Sequence, residues 1–164
     1  MILRKFRLLL VSCLIGLWTF SSQAAEWTMA SGYPKSNFHT QNIIKFIEDV
    51  KSGSSVKINL NPNDTLIKLD AIKTSLQRGQ IPIGEIRFGI YGNEDPMYIL
   101  AGLPFIAPDY ASAWLLKEVK HAYLQEKFNK KGLRILYTAP WPGQGFYTKF
   151  PVNKVSDFNG KKLR

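Results

Sequence analysis

The strongest constraint on this chain is an alternation of two apolar periods. Glu26–Ser31, Ser55–Leu60, Ile81–Tyr91 and Leu133–Tyr137 carry apolar residues at every second position or in short runs, the pattern of half-buried or buried strands. Between them the spacing becomes helical. After Asn37, residues Ile43, Ile44, Ile47 and Val50 form one stripe, with Lys45, Glu48, Asp49 and Lys51 opposite and Gly53 as the stop. Leu66, Leu69, Ile72 and Leu76 form a second stripe between the turn Asn61–Asp64 and Gly79. Met97–Leu103 reads as a short helix. A long one spans about Asp109–Lys130, with Ala111, Leu115, Val119 and Ala122 on one stripe and Gly132 ending it. Strands alternating with helices predict an α/β fold with a largely parallel sheet. Ligands of such sheets gather beyond the carboxyl ends of the strands. Those loops are Ser31–His39, Asn61–Thr65, Tyr91–Glu94 and Ala139–Gln144.

The 164 residues suffice for one domain with a real core. Residues 1–24 read as a secretory signal peptide: a basic start, an apolar run from Leu8 to Phe20, then small residues that place cleavage after Ala24. The run is short for a membrane span, so stable membrane insertion after cleavage is not expected, and the localisation implied is periplasmic. The single cysteine, Cys13, lies inside that segment, so the mature chain has no disulfide to draw on. The formal charge is +10, and removing Arg4, Lys5 and Arg7 leaves +7. No run of five like charges and no nucleic-acid-binding signature accompanies it, so nucleic acid is not an expected partner.

The loops are poor in catalytic parts. His39 and His121 have no chelating spacing, cysteine is absent from the mature chain, and neither a nucleophile elbow nor a phosphate loop occurs. No metal or cofactor is expected, and the chain does not read as an enzyme. Binding chemistry is better represented. Glu85 and Arg87 sit among apolar residues in a strand pattern, and buried charges must be paired or near water. Asn37 suits a helix cap, His39 stands in the first turn of that helix, and Phe38 reads as core. Trp141, Gln144, Phe146 and Tyr147 crowd around Pro140, Pro142 and Gly143, combining apolar faces with polar tips. An extended run, Gly145–Phe150, follows, and Lys161–Arg164 looks like the opening of a further strand. Arg164 offers a two-pronged guanidinium suited to a carboxylate.

These segments, in this order, resemble the substrate-binding proteins of tripartite ATP-independent periplasmic (TRAP) transporters, the DctP type. The resemblance is carried by Asn37-Phe38-His39-Thr40-Gln41-Asn42, Asn61-Pro62-Asn63 with Leu66, Gln80 through Gly84-Glu85, Asn93-Glu94-Asp95-Pro96, Leu103-Pro104-Phe105, Trp141-Pro142-Gly143-Gln144-Gly145 and Asp157 through Arg164. It implies a periplasmic binding protein-like (type II-like) fold whose two lobes close on an organic acid and pass it to membrane permease subunits. Arg164 falls on the arginine that clamps the ligand carboxylate, while Asn37, His39, Glu85 and Tyr147 fall near cleft-lining positions. Gln144 stands where sialic-acid binders carry another arginine, which argues against that ligand.

The resemblance also implies a longer protein. The chain is therefore expected to comprise the N-terminal lobe over 25–140 and, over 141–164, a crossover with the first strand of a second lobe that is largely missing. Such a fragment should bind its carboxylate weakly or not at all. Two other readings of the residues are a small basic module that binds anionic surfaces and a hydrolase using Glu85 or Glu94.

Overall fold

β1 (Glu26–Ala30) is the centre of a three-stranded parallel sheet in the order β2-β1-β3. The structure is a computed structural model that describes residues 25–143 and 145–162, so the signal-peptide reading of 1–24, Gln144 and Arg164 lie outside it. Two compact units make up the chain, one up to Ile86 and one from Arg87 onward.

In the first unit β1 leads into α1 (Phe38–Gly53), which returns the chain to β2 (Lys57–Asn61). A second crossover through α2 (Ile72–Gln77) reaches β3 (Ile83–Gly84) on the other side of β1. Successive residues of β1 face opposite sides of the sheet, which splits the core into two layers. Met29 packs with Ile43, Ile58 and Ile83, joined by Phe46, Ile47 and Val50. Ala30 packs with Ile72 and Ile81, with Leu69 and Leu76 beside them. A Cβ at Gly84 would stand 2.7 Å from Ile72 Cγ2, so only glycine lets α2 lie this close to β3.

The expected strand over Ile81–Tyr91 is far shorter. The β1–β3 ladder holds only Met29↔Ile83 and Ala30↔Gly84, and β1 ends there. Beyond Glu85, whose amide makes the last bond to β1, the backbone has lost that partner, and by Phe88–Tyr91 it has tightened into a 3-10 turn. The second stripe also becomes helical late. Asn63 and Asp64 both adopt φ of 58°, and Asp64 Oδ1 accepts from the Leu69 amide at 2.8 Å. Those bonds hold the segment in turns, and α2 starts only at Ile72.

The second unit is built on α3 (Tyr110–Asn129), capped by Asp109, whose side chain accepts from the Ser112 amide at 2.7 Å. Its buried row is Lys120, Leu124 and Phe128, not the stripe of Ala111, Leu115, Val119 and Ala122, which faces solvent. Phe128 meets Phe88 and Tyr98 edge-on at 5.7 and 6.0 Å, and those two rings stack. Asp95 ties this core to the helix, accepting the Tyr123 hydroxyl at 2.7 Å and the Lys127 ammonium at 3.2 Å. Lys120 reaches the carbonyl of Met97, and burial pushes its ammonium pKa down. Met97–Leu103 contains two 3-10 turns, Pro96–Tyr98 having begun at a proline.

Leu133–Tyr137 and Gly145–Phe150 form no strand. Among its described residues the second unit contains none to pair with, and alternation without a neighbouring ladder leaves a segment extended and unpaired. Among the described residues no helix is long and apolar enough to cross a membrane.

Candidate functional site

The three strands end together, at Asn61 and just before Ser31 and Glu85. The Ser31 amide donates to the Asn61 carbonyl at 3.0 Å, and the Glu85 amide donates to the Ala30 carbonyl at 2.9 Å. In strand order β2-β1-β3 the first crossover runs from β1 to one neighbour and the second runs from β2 past β1 to the other, so the point between β1 and β3 is where the winding reverses. Open parallel sheets leave a crevice outside the carboxyl ends at such a point. Ser31 and Glu85 stand at it.

Ser31 is fully buried, and its hydroxyl donates to Glu85 Oε2 at 2.5 Å. Burial raises the pKa of the half-buried Glu85 carboxyl above the ordinary value of 4.5, and the Ser31 hydroxyl offsets part of that rise. Oε1 makes no hydrogen bond to the described residues. Beside this pair the Tyr33 amide donates to Ser31 Oγ at 3.4 Å, and Thr40 Oγ1 donates to the Tyr33 carbonyl at 3.2 Å. The His39 ring lies against Tyr33, with centroids 5.9 Å apart, and against Phe38 at 4.0 Å. His39 is buried, which pushes its imidazole pKa down and favours the neutral ring. Asn37 caps α1 by accepting the His39 amide at 2.9 Å. The loops are braced against each other: the Asn63 amide donates to the Tyr33 carbonyl and the Asp64 amide to the Ser31 carbonyl.

Asn37, His39 and Glu85 thus belong to one neighbourhood in the first unit. Asn37 is engaged as a cap, and Phe38, read as core, is 45% exposed with its ring against His39. Tyr147 is almost fully exposed in the second unit. Glu94, the other carboxylate of the hydrolase reading, pairs with Lys131 at 2.6 Å. From the sequence, Ser31 and Tyr33 are marked only by their place in the loop after the first strand, and Thr40 only as a member of the run Asn37–Asn42. Among the described residues no cluster of His, Cys, Asp and Glu suits a metal ion.

The family model for DctP, the bacterial extracellular solute-binding proteins of family 7, matches residues 29–164. The chain belongs to this family. DctP7, a Bordetella pertussis extracytoplasmic solute receptor binding pyroglutamic acid, is 34% identical with a TM-score of 0.77, over 82% of this chain and 46% of that one. DctP6 of the same organism, also binding pyroglutamic acid, is 38% identical with a TM-score of 0.70, over 72% and 40%. A TRAP solute binding protein from a marine metagenome, specific for pyroglutamate and holding co-purified pyroglutamate, is 35% identical with a TM-score of 0.75, over 82% and 45%. The chain spans less than half the length of each of these receptors. No curated protein matches it. The DctP family and these neighbours are solute-binding receptors, not enzymes. The parallel sheet with helices on both faces is accordingly part of a periplasmic-binding-protein lobe.

Proposed function

We propose that this chain is the ligand-capturing part of a TRAP-type periplasmic receptor for a small carboxylate of the pyroglutamate kind, which membrane permease subunits then carry. The observation that carries the reading is the placement of Glu85. Its carboxyl stands at the winding reversal of the sheet, fixed through one oxygen by Ser31, with the other oxygen open to a donor. A second carboxylate alone would be repelled there. A lactam such as pyroglutamate adds a ring N–H, the complement an open carboxylate oxygen needs. The 34–38% identity to three pyroglutamate receptors supports this choice of ligand.

The carboxylate of the ligand needs a cation, and we assign that role to Arg164 on the family pattern. Gln144 and Tyr147 are proposed as further contacts on the same ground. Because the chain spans less than half the length of those receptors, this length alone is expected to bind more weakly than micromolar. Capture takes place in the periplasm.

NMR titration of the chain with L-pyroglutamate tests it. Saturable shifts at the amides of Ser31, Tyr33 and Glu85, lost in Glu85→Ala, are expected. Shifts there no larger than those from equal sodium chloride would overturn the assignment of the site, and Arg164→Met with undiminished binding would remove the role of Arg164.

A further inference from the structure

We infer that the second unit carries an anion site of its own, a groove between α3 and the chain that returns along it, suited to a small carboxylate. It does not rest on the receptor reading above. The groove follows from how the helix ends. Gly132 adopts φ of +71°, its amide donates to the Asn129 carbonyl at 3.0 Å, and the Leu133 amide donates to the Phe128 carbonyl at 2.9 Å. These are the two bonds of a glycine-capped reversal, which sends the chain off the helix axis. Arg134, Ile135 and Leu136 then line one side of a groove of about 660 Å³, and His121, Gln125 and Asn129 line it from α3. Those three recur every four residues, so they stand in one row along a single face.

The lining is chemically one-sided. Arg134 is exposed and has no carboxylate within ion-pairing distance among the described residues. The acids nearest in sequence to the row are already engaged: Glu118 pairs with Lys117 at 2.8 Å, and Glu126 pairs with Lys130. Gln125 Nε2 donates to Asn129 Oδ1 at 2.8 Å, which orients the Asn129 amide and leaves its own N–H groups for another acceptor. A guanidinium with two parallel donors, a carboxamide donor and an imidazole together match a carboxylate, and Ile135 and Leu136 offer an apolar wall to its carbon chain.

Succinate titrated into the full chain is the probe, read at the side-chain amides of Gln125 and Asn129 and the backbone amides of Ile135 and Leu136. Saturable shifts in the millimolar range are expected. Arg134→Lys should weaken binding roughly threefold to tenfold, since an ammonium cannot engage both oxygens at once. Arg134→Gln should abolish it. Asn129→Asp keeps the acceptor for Gln125 but sets a like charge in the groove, and should also abolish it. Shifts that grow without saturating, that sodium chloride of equal ionic strength reproduces, or that survive both Arg134→Gln and Asn129→Asp would overturn the site.

Discussion

Ser31 and Glu85 form a cross-strand hydrogen bond one step beyond the last ladder pair, Ala30↔Gly84, of β1 and β3. The pair ties the ends of two parallel strands through side chains, beside the last backbone bond from the Glu85 amide to the Ala30 carbonyl. Because burial holds the Glu85 pKa above 4.5, the folded state binds its proton more tightly than the unfolded chain does. Stability from this group is therefore greatest at low pH and declines as pH rises from 4.5 through the folded pKa. Glu85→Gln keeps an acceptor for Ser31 and removes the charge. It should raise the neutral-pH melting temperature and flatten that part of the stability profile, as thermal melts across pH would show. An unchanged profile would mean that the carboxyl is well solvated.

His39 contributes the opposite slope. Its ring is held neutral by burial, so its folded pKa lies below 6.5. The unfolded chain then takes up the proton first, and stability falls as pH drops from 6.5 through the folded value. In His39→Asn this slope should vanish while the Glu85 slope remains, a separation that urea melts at several pH values resolve. If the slope below 6.5 persists in the variant, another group is responsible.

Asn37 is placed to stabilise α1 through the His39 amide. Asn37→Ala should cost about 1 kcal/mol, and Asn37→Ser should recover most of it, because a serine oxygen also caps. Chemical denaturation measures both. Equal losses in the two variants would show that the amide side chain does something besides capping.

How far the sequence led depended on whether a residue's partner was close along the chain. The cap at Asn37, the strands at Glu26–Ala30 and Lys57–Asn61, and the start of the long helix near Asp109 rest on local chemistry, and the spacing found them within a residue or two. The register of β1 against β3 is not a local property. Glu85 therefore stood out as a charge in an apolar run, while Ser31, its partner 54 residues away, did not. Leu133–Tyr137 failed for the same reason, since alternation describes one strand and a strand needs two. The buried row of α3 was hidden differently. It contains Lys120, which an apolar-stripe reading passes over, although a lysine stem packs well when its ammonium finds a carbonyl.

The two faces of α3 can be told apart by substitution. Leu124 is 3% exposed and Leu115 is 67% exposed. Leu124→Ala should cost about 2–4 kcal/mol through lost contacts and the cavity left behind. Leu115→Ser should change stability by no more than about 0.5 kcal/mol, as exposed positions away from special features do. Denaturant unfolding of both variants gives the comparison, and the reverse order would assign the helix its other face.

Phe105 combines two costs. Its φ is +65° and its side chain is 95% exposed, so an aromatic residue sits in the left-handed region without burying its ring. For an L-residue that conformation costs roughly 1–2 kcal/mol, and asparagine tolerates it better because its short polar side chain bonds locally. Phe105→Asn should thus stabilise the chain by up to about 1 kcal/mol, and it should also lower aggregation by removing an exposed ring next to Leu103 and Ile106. A melting temperature that falls instead would show that the ring is buried in solution against a surface it recognises. Light scattering of the variant at several concentrations then decides whether that surface is a second copy, since loss of a concentration-dependent signal would accompany the destabilisation only if copies had met through Phe105.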